Sequence, residues 1–338
     1  MRYWLALAAL LIRLVMAASD VAAADDGHAP RLADYRRPAA TPFPADDRYS
    51  QPKAELGRML FFDPILSGSG ARSCASCHQP GLSWGDGLPR AIGEGQKPLA
   101  LRAPTLLDIA WIPVLGWDGK YRNLEALTFA PLTNPANMNG NEAKLLADLA
   151  AIPGYRAAFA RAFPDGAISR GHVEQAVATF ERTIVAPPAP FDRWVQGDEG
   201  AVSAAAKRGF ALFNGKAGCA ECHSGWNFTD AAFYDIGEAK DEDIGRGRLF
   251  PTSGKLQHAF KTPSLRDVAR RAPYMHDGSV ATLEDVIDLY DRGGIDRPSR
   301  SELIKPLHLS ADEKAELIAF LQTLTSDPAS YPTPVLPR

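Results

Sequence analysis

Cys74-Ala75-Ser76-Cys77-His78 returns once in the chain, as Cys219-Ala220-Glu221-Cys222-His223. Two thiols three residues apart lie on one side of a helical turn, so both can reach the vinyl groups of one porphyrin. The histidine that follows is carried beneath the ring, where an imidazole nitrogen can ligate iron. C-x-x-C-H is thus the attachment signature of a c-type haem. The chain has four cysteines, and the two motifs use all of them. A pair of disulfides would leave the histidine after each motif unexplained. Zinc wants four ligands, and each cluster offers three. The motifs therefore read as two covalently attached haems c.

A chain of 338 residues suits two domains of ordinary size. Its 46% hydrophobic and 23% charged residues read as soluble and globular. A net charge of −3, with no basic run, gives no reason to expect nucleic acid. At the N-terminus Arg2 precedes an apolar run over residues 3–12, and small residues then lead to Ala22-Ala23-Ala24 before Asp25-Asp26. This is the pattern of an export signal over residues 1–24. The alternative is an amphipathic helix kept in the mature protein. Arg13 interrupts the run and argues against a membrane span, and no other segment is long and apolar enough for one. Because c-type haem is attached outside the bacterial cytoplasm, a periplasmic protein with no membrane span in the mature chain is expected.

Residues 25–50 lack a period and read as an extended lead-in. Leu56, Met59 and Leu60 then fall at helical spacing until Asp63-Pro64. Residues 142–150 place Leu145, Leu146 and Leu149 on one face, and residues 171–185 do the same with Val173, Ala176, Val177, Phe180 and Ile184. The Pro-rich stretch 186–190 is the best boundary between domains. A helix opened by Ser203 carries Phe210 and Phe213 toward the second motif. Residues 235–258 are charged and Gly-rich and read as a surface loop. Leu283, Val286, Ile287 and Tyr290 follow a Thr282 cap, and Ser310 with Glu313 forms a capping box for a last helix. No alternating strand run is of useful length. The expected fold is mainly α. The repeated motif after an amphipathic helix outlines two tandem cytochrome c-like domains, over residues 51–190 and 198–326, with one haem in each.

The chain resembles the bacterial di-haem cytochrome c peroxidase/MauG family. The residues that carry the likeness are Leu56-Gly57-Arg58-Met59-Leu60-Phe61-Phe62-Asp63-Pro64, Trp117-Asp118-Gly119, Asn134-Pro135, Phe260-Lys261-Thr262-Pro263-Ser264-Leu265-Arg266 and Ala272-Pro273-Tyr274-Met275-His276-Asp277-Gly278-Ser279. The resemblance implies one peroxide-reactive haem and one electron-relay haem, with His78 and His223 as iron ligands. Members that cap the first haem use a second histidine downstream. Here no histidine lies between His78 and His172, and His172 reads as a packing residue. The first haem is therefore expected to keep an open position. For the second haem the resemblance implies Tyr290 as the distal ligand, as in MauG-like proteins, with Met275 as the other candidate; a core tyrosine fits the same spacing. His276 is expected to support the pocket. Trp117 matches a tryptophan that lies between the haems, and its bland role is interface packing.

Two positions depart from the family pattern. Leu127 and Asn137 stand where the family has a glutamine and a glutamate above the first haem, so Glu125 is the expected acid–base group. Arg102 stands where the family has an asparagine that helps bind calcium between the domains, which leaves calcium open. Three activities follow from the resemblance. The first is a peroxidase that reduces hydrogen peroxide with electrons from a small periplasmic donor, a cytochrome c or a cupredoxin. The second is a MauG-like oxidase of aromatic residues on a protein substrate. The third is a di-haem electron carrier.

Overall fold

In the computed structural model residues 32–240, 242–327 and 330–337 are described, and the export-signal reading over residues 1–24 lies outside them. Helix α1 (Gln51–Phe62) buries Leu56, Gly57, Leu60 and Phe61 on one stripe, with proline in its first turn. Asp63 stops it, accepting the Ile65 amide at 2.9 Å and the Tyr155 hydroxyl at 2.7 Å. After the first motif come α2 (Leu124–Thr133), α3 (Glu142–Ala151), α4 (Pro153–Ala162) and α5 (Arg170–Arg182). Asn123, Asn141 and Ser169 cap α2, α3 and α5 with their side chains, each satisfying an amide the first turn leaves free. Helices α1 and α5 cross at Gly57, where a β-carbon would overlap the Ala176 carbonyl. Only glycine permits that approach.

The second half repeats this frame. Helix α6 (Pro190–Val195) leads to α7 (Ala204–Asn214), and α8 (Leu283–Arg292) and α9 (Ala311–Gln322) follow the second motif. Helix α7 crosses α9 at Gly209, where a β-carbon would overlap the Glu316 carbonyl. One core gathers Leu56, Leu60, Phe61, Phe159 and Phe180; a second gathers Phe191, Phe210, Phe213, Phe228 and Phe320. Each fully buried phenylalanine contributes about 1.5–3 kcal/mol, so the two clusters dominate stability. The expected mainly α fold is what the chain adopts. Its strands β1 (Phe233–Tyr234) and β2 (Phe260–Lys261) form one short antiparallel pair.

A second repeat lies between the motifs and the later helices. Pro104-Thr105-Leu106-Leu107-Asp108 matches Pro263-Ser264-Leu265-Arg266-Asp267, and both aspartates are left-handed with φ of 56°. Leu115 bridges Tyr121 just as Tyr274 bridges Val280, and these turns deliver α2 and α8. Trp117 and His276 occupy the same step.

Two readings need correction. The described part of the lead-in is not merely extended: a 3-10 turn at Leu32–Tyr35 buries Tyr35 against Phe191, Phe210 and Phe228. Arg37 then donates to the carbonyls of Ala186 and Pro187 at 2.6 and 3.2 Å. Residues 235–258 are not simply a surface loop either. Asp235 is buried under Arg297 and Ser299, and Glu238, Ala239 and His258 line an internal cavity. Charge suggested exposure, but Asp235, Glu238, Asp243 and Arg246 each have a partner within the fold. No described helix is long and apolar enough to cross a membrane.

Candidate active site

Each motif folds as a 3-10 turn, Cys74–Ser76 and Cys219–Glu221. The His78 amide donates to Cys74 O at 3.0 Å and the His223 amide to Cys219 O at 2.9 Å, which closes the turn and brings thiols and imidazole to one side. His78 Nδ1 lies 3.1 Å from the Trp84 carbonyl, and His223 Nδ1 lies 2.9 Å from the Phe228 carbonyl. A carbonyl only accepts, so Nδ1 carries the hydrogen and Nε2 presents its lone pair. Burial lowers the pKa of both rings, which keeps them neutral, as a metal ligand must be. The four thiols are free, and burial keeps them protonated, most strongly at Cys74 and Cys219.

A cavity of about 790 Å³ runs through both halves, and both Cys-x-x-Cys-His turns line it. Its charged lining is unusual. Arg102, Lys261 and Arg271 reach it with no carboxylate partner among the described residues. Nε of Arg102 and Nε of Arg271 are buried with no hydrogen bond. Burial pushes Lys261 down to about 8 and Arg271 to about 10. Buried cations need anions, and each haem brings two propionates. Free Nε2 atoms, paired thiols and unpaired cations together fit two haems c.

The other expected residues fall as follows. Trp117 lines the cavity and donates its indole N–H to Arg102 O at 3.1 Å. Arg102 itself donates to Arg271 O at 2.9 Å, so a guanidinium group holds the place considered for calcium. Tyr290 and Met275 both line the cavity. The Tyr290 hydroxyl has no hydrogen bond among the described residues, and burial raises its pKa, so it is a neutral phenol until a Lewis acid faces it. His276 is buried, stacked 3.6 Å from Phe260, with Nε2 2.7 Å from Asp243 and Nδ1 3.2 Å from Glu238. His172 stacks 3.9 Å from Phe163 and is not in the cavity wall.

Leu127 and Asn137 do line the cavity, with Thr128 and Pro131 of α2 beside them. Glu125 does not. Its two oxygens accept from Arg182 at 2.6 and 3.1 Å. Burial works to raise this carboxyl, but the guanidinium outweighs it and holds the pKa below the usual range. Two cavity residues carried no sequence signal: Met138, buried in the first core, and Glu181, on the inner face of α5.

Comparison with known proteins agrees with this geometry. Residues 51–200 match the family model for di-haem cytochrome c peroxidase, and residues 206–325 match cytochrome c. The methylamine utilization protein MauG of Methylorubrum extorquens is 50% identical over 90% of this chain and 87% of its own. Cytochrome c551 peroxidase of Nitrosomonas europaea is 33% identical over 88% of this chain and 86% of its own. A crystal structure of a MauG-like protein associated with microbial copper homeostasis superposes with a TM-score of 0.80 at 32% identity, covering 87% of this chain and 94% of that one. Two tandem cytochrome c-like domains, each with a covalently bound haem c, and a peroxide-dependent oxidoreductase activity follow from these matches. The chain belongs to the di-haem cytochrome c peroxidase/MauG family.

Proposed function

We propose that the protein is a periplasmic, MauG-like oxidase that uses hydrogen peroxide to oxidise aromatic side chains of a partner protein. Tyr290 carries this reading: a phenol packed in the interior that faces the cavity with no hydrogen-bond partner among the described residues. A phenol turned into a haem-sized cavity with no protein partner for its oxygen reads as an iron ligand. Identities of 50% and 45% to two MauG proteins, from Methylorubrum extorquens and Methylophilus methylotrophus, support the same reading.

When bound, the haems supply reactivity toward peroxide and one-electron transfer. The chain's residues direct that chemistry. His78 and His223 would each hold one haem iron through a neutral, oriented imidazole. Tyr290 would hold the second haem from α8 and exclude outside ligands there. Pro131 stands at the same step of α2 and has no ligating atom, so the first cavity admits peroxide on that side. Trp117, held by the Arg102 carbonyl, passes charge between the two halves.

The test is one equivalent of hydrogen peroxide added to the fully haem-loaded diferric protein without an electron donor. A fast, long-lived oxidised state in the visible and near-infrared spectrum is expected. Silence in that form, followed by turnover after one-electron reduction, would replace this reading with a cytochrome c peroxidase fed by a cytochrome c or cupredoxin. The 33% identity to the Nitrosomonas europaea peroxidase is what favours that second reading.

A further inference from the structure

Reducing hydrogen peroxide to two waters consumes two protons and two electrons, and a group that hands a proton to the departing oxygen speeds O–O cleavage. Glu125 is not free to do so, because Arg182 takes both its oxygens and it is not in the cavity wall. Glu181, the residue before Arg182, does line the cavity. It has no hydrogen bond and no ion pair among the described residues.

Its place on α5 decides which side of the cavity it serves. Phe180, one step round the helix, packs 5.2 Å from Phe61 and 6.1 Å from Trp84, whose carbonyl orients His78. That is the histidine side. Ala178, three residues before Glu181 and on its face, packs with Leu124 and Leu127 of α2. Val177, four residues before Glu181, lines the cavity too, so Glu181 lies where the cavity-facing side of α5 meets α2. Its charge bears on Cys74, so it stands near the thiols of the first motif.

We propose that Glu181 is the proton donor of the first haem cavity, giving its carboxylic hydrogen to the peroxide oxygen that departs as water. The carboxylic acid becomes carboxylate, the departing hydroxide becomes water, and solvent returns the proton. The second proton also comes from solvent, and the redox partner supplies the two electrons. The inference rests on the reading that peroxide enters the first cavity. The charged surroundings suit the role: burial raises the Glu181 carboxyl to about 8, Arg182 opposes this, and Glu125 from α2 adds to it. Asp47 of the lead-in stands 3.8 Å from Arg182 and is itself paired with Lys53 of α1. At neutral pH the group is mostly protonated and ready to donate.

The test compares wild type, Glu181→Gln and Glu181→Asp in the fully haem-loaded protein. Resting wild type should show an infrared carboxylic C=O band that fades as pH rises through about 8 and is missing from Glu181→Gln. The rate of reaction with peroxide should fall above that pH in wild type. Glu181→Gln should react roughly 100-fold more slowly with no such alkaline limb. Wild-type rate and pH profile in Glu181→Gln, or an unchanged infrared band, would overturn the proposal. Should Glu181→Gln fail to load haem, Glu181→Asp decides: a shifted alkaline limb supports the role and an unmoved one refutes it. A wild type inert to peroxide in both redox forms would instead bring down the functional reading, and this inference with it.

Discussion

Helix α2 follows an Asn123 cap and carries Leu124, Leu127, Thr128 and Pro131; α8 follows a Thr282 cap and carries Leu283, Val286, Ile287 and Tyr290 at the same spacings. The turns that deliver them match as well, with Trp117 at the step of His276. The frame is the same because each helix must close one side of a flat cofactor. On the proposed reading the chemistry differs at one matching step of the two helices, where Pro131 offers no ligating atom and Tyr290 offers a phenol. One duplicated scaffold can thus host a reactive site and a closed site by changing a single side chain.

The sharpest way to break this comparison is Pro131→Tyr. It should abolish the reaction with peroxide while the second haem's spectrum stays as in wild type; an unaltered reaction would show that this step of α2 does not control access. Tyr290→Phe is the converse. It removes the ligating oxygen at almost constant volume, so the second haem should begin to bind carbon monoxide or cyanide. The lifetime of the peroxide-oxidised state should fall by about tenfold, the equivalent of about 1.4 kcal/mol. Retained lifetime and continued inertness would assign Tyr290 to the core instead.

The helix crossings offer a smaller, structural comparison. Gly57→Ala and Gly209→Ala each force a methyl group against a backbone carbonyl, so each should cost about 1–3 kcal/mol in denaturant unfolding of the haem-loaded protein. A loss at one crossing only would show that the two halves are not packed alike.

The smallest effect separates Trp117 from His276. Burial works against the charged imidazole, but Asp243 and then Glu238 outweigh it and raise His276 to about 9. A raised pKa contributes stability that is fully present below the ordinary value of 6.5 and is lost as pH rises through about 9. Denaturation midpoints should therefore fall between pH 7 and pH 10 in wild type, and His276→Gln should flatten that decline. Trp117 has no group that titrates there. A decline unchanged in His276→Gln would place its origin elsewhere.

Much of this was legible from residues near one another in the chain. The caps at Ser203, Thr282 and Ser310 begin the helices they announced. Helices α2, α4 and the short α6 are not read from the sequence: α2 carries Pro131 in its interior, and α4 and α6 start on prolines that read as turn or linker signals. The second repeat was equally present but sparse: only the prolines, one leucine, the aspartates and an Asp-Gly recur, and their common φ is what makes them equivalent.

The sequence by itself determined where haem is attached and by which atoms, because two thioethers and one imidazole need residues within a single turn. Its period of apolar residues likewise sufficed for a mainly helical fold. Only the tertiary structure decided which carboxylate lines the cavity. Glu125 and Glu181 are both acids on helices, yet the packing of α2 on α5 gives the first to Arg182 and leaves the second at the cavity wall with no partner among the described residues. Orientation and desolvation are set by neighbours far away in sequence, and those two quantities decide what a carboxyl group can do.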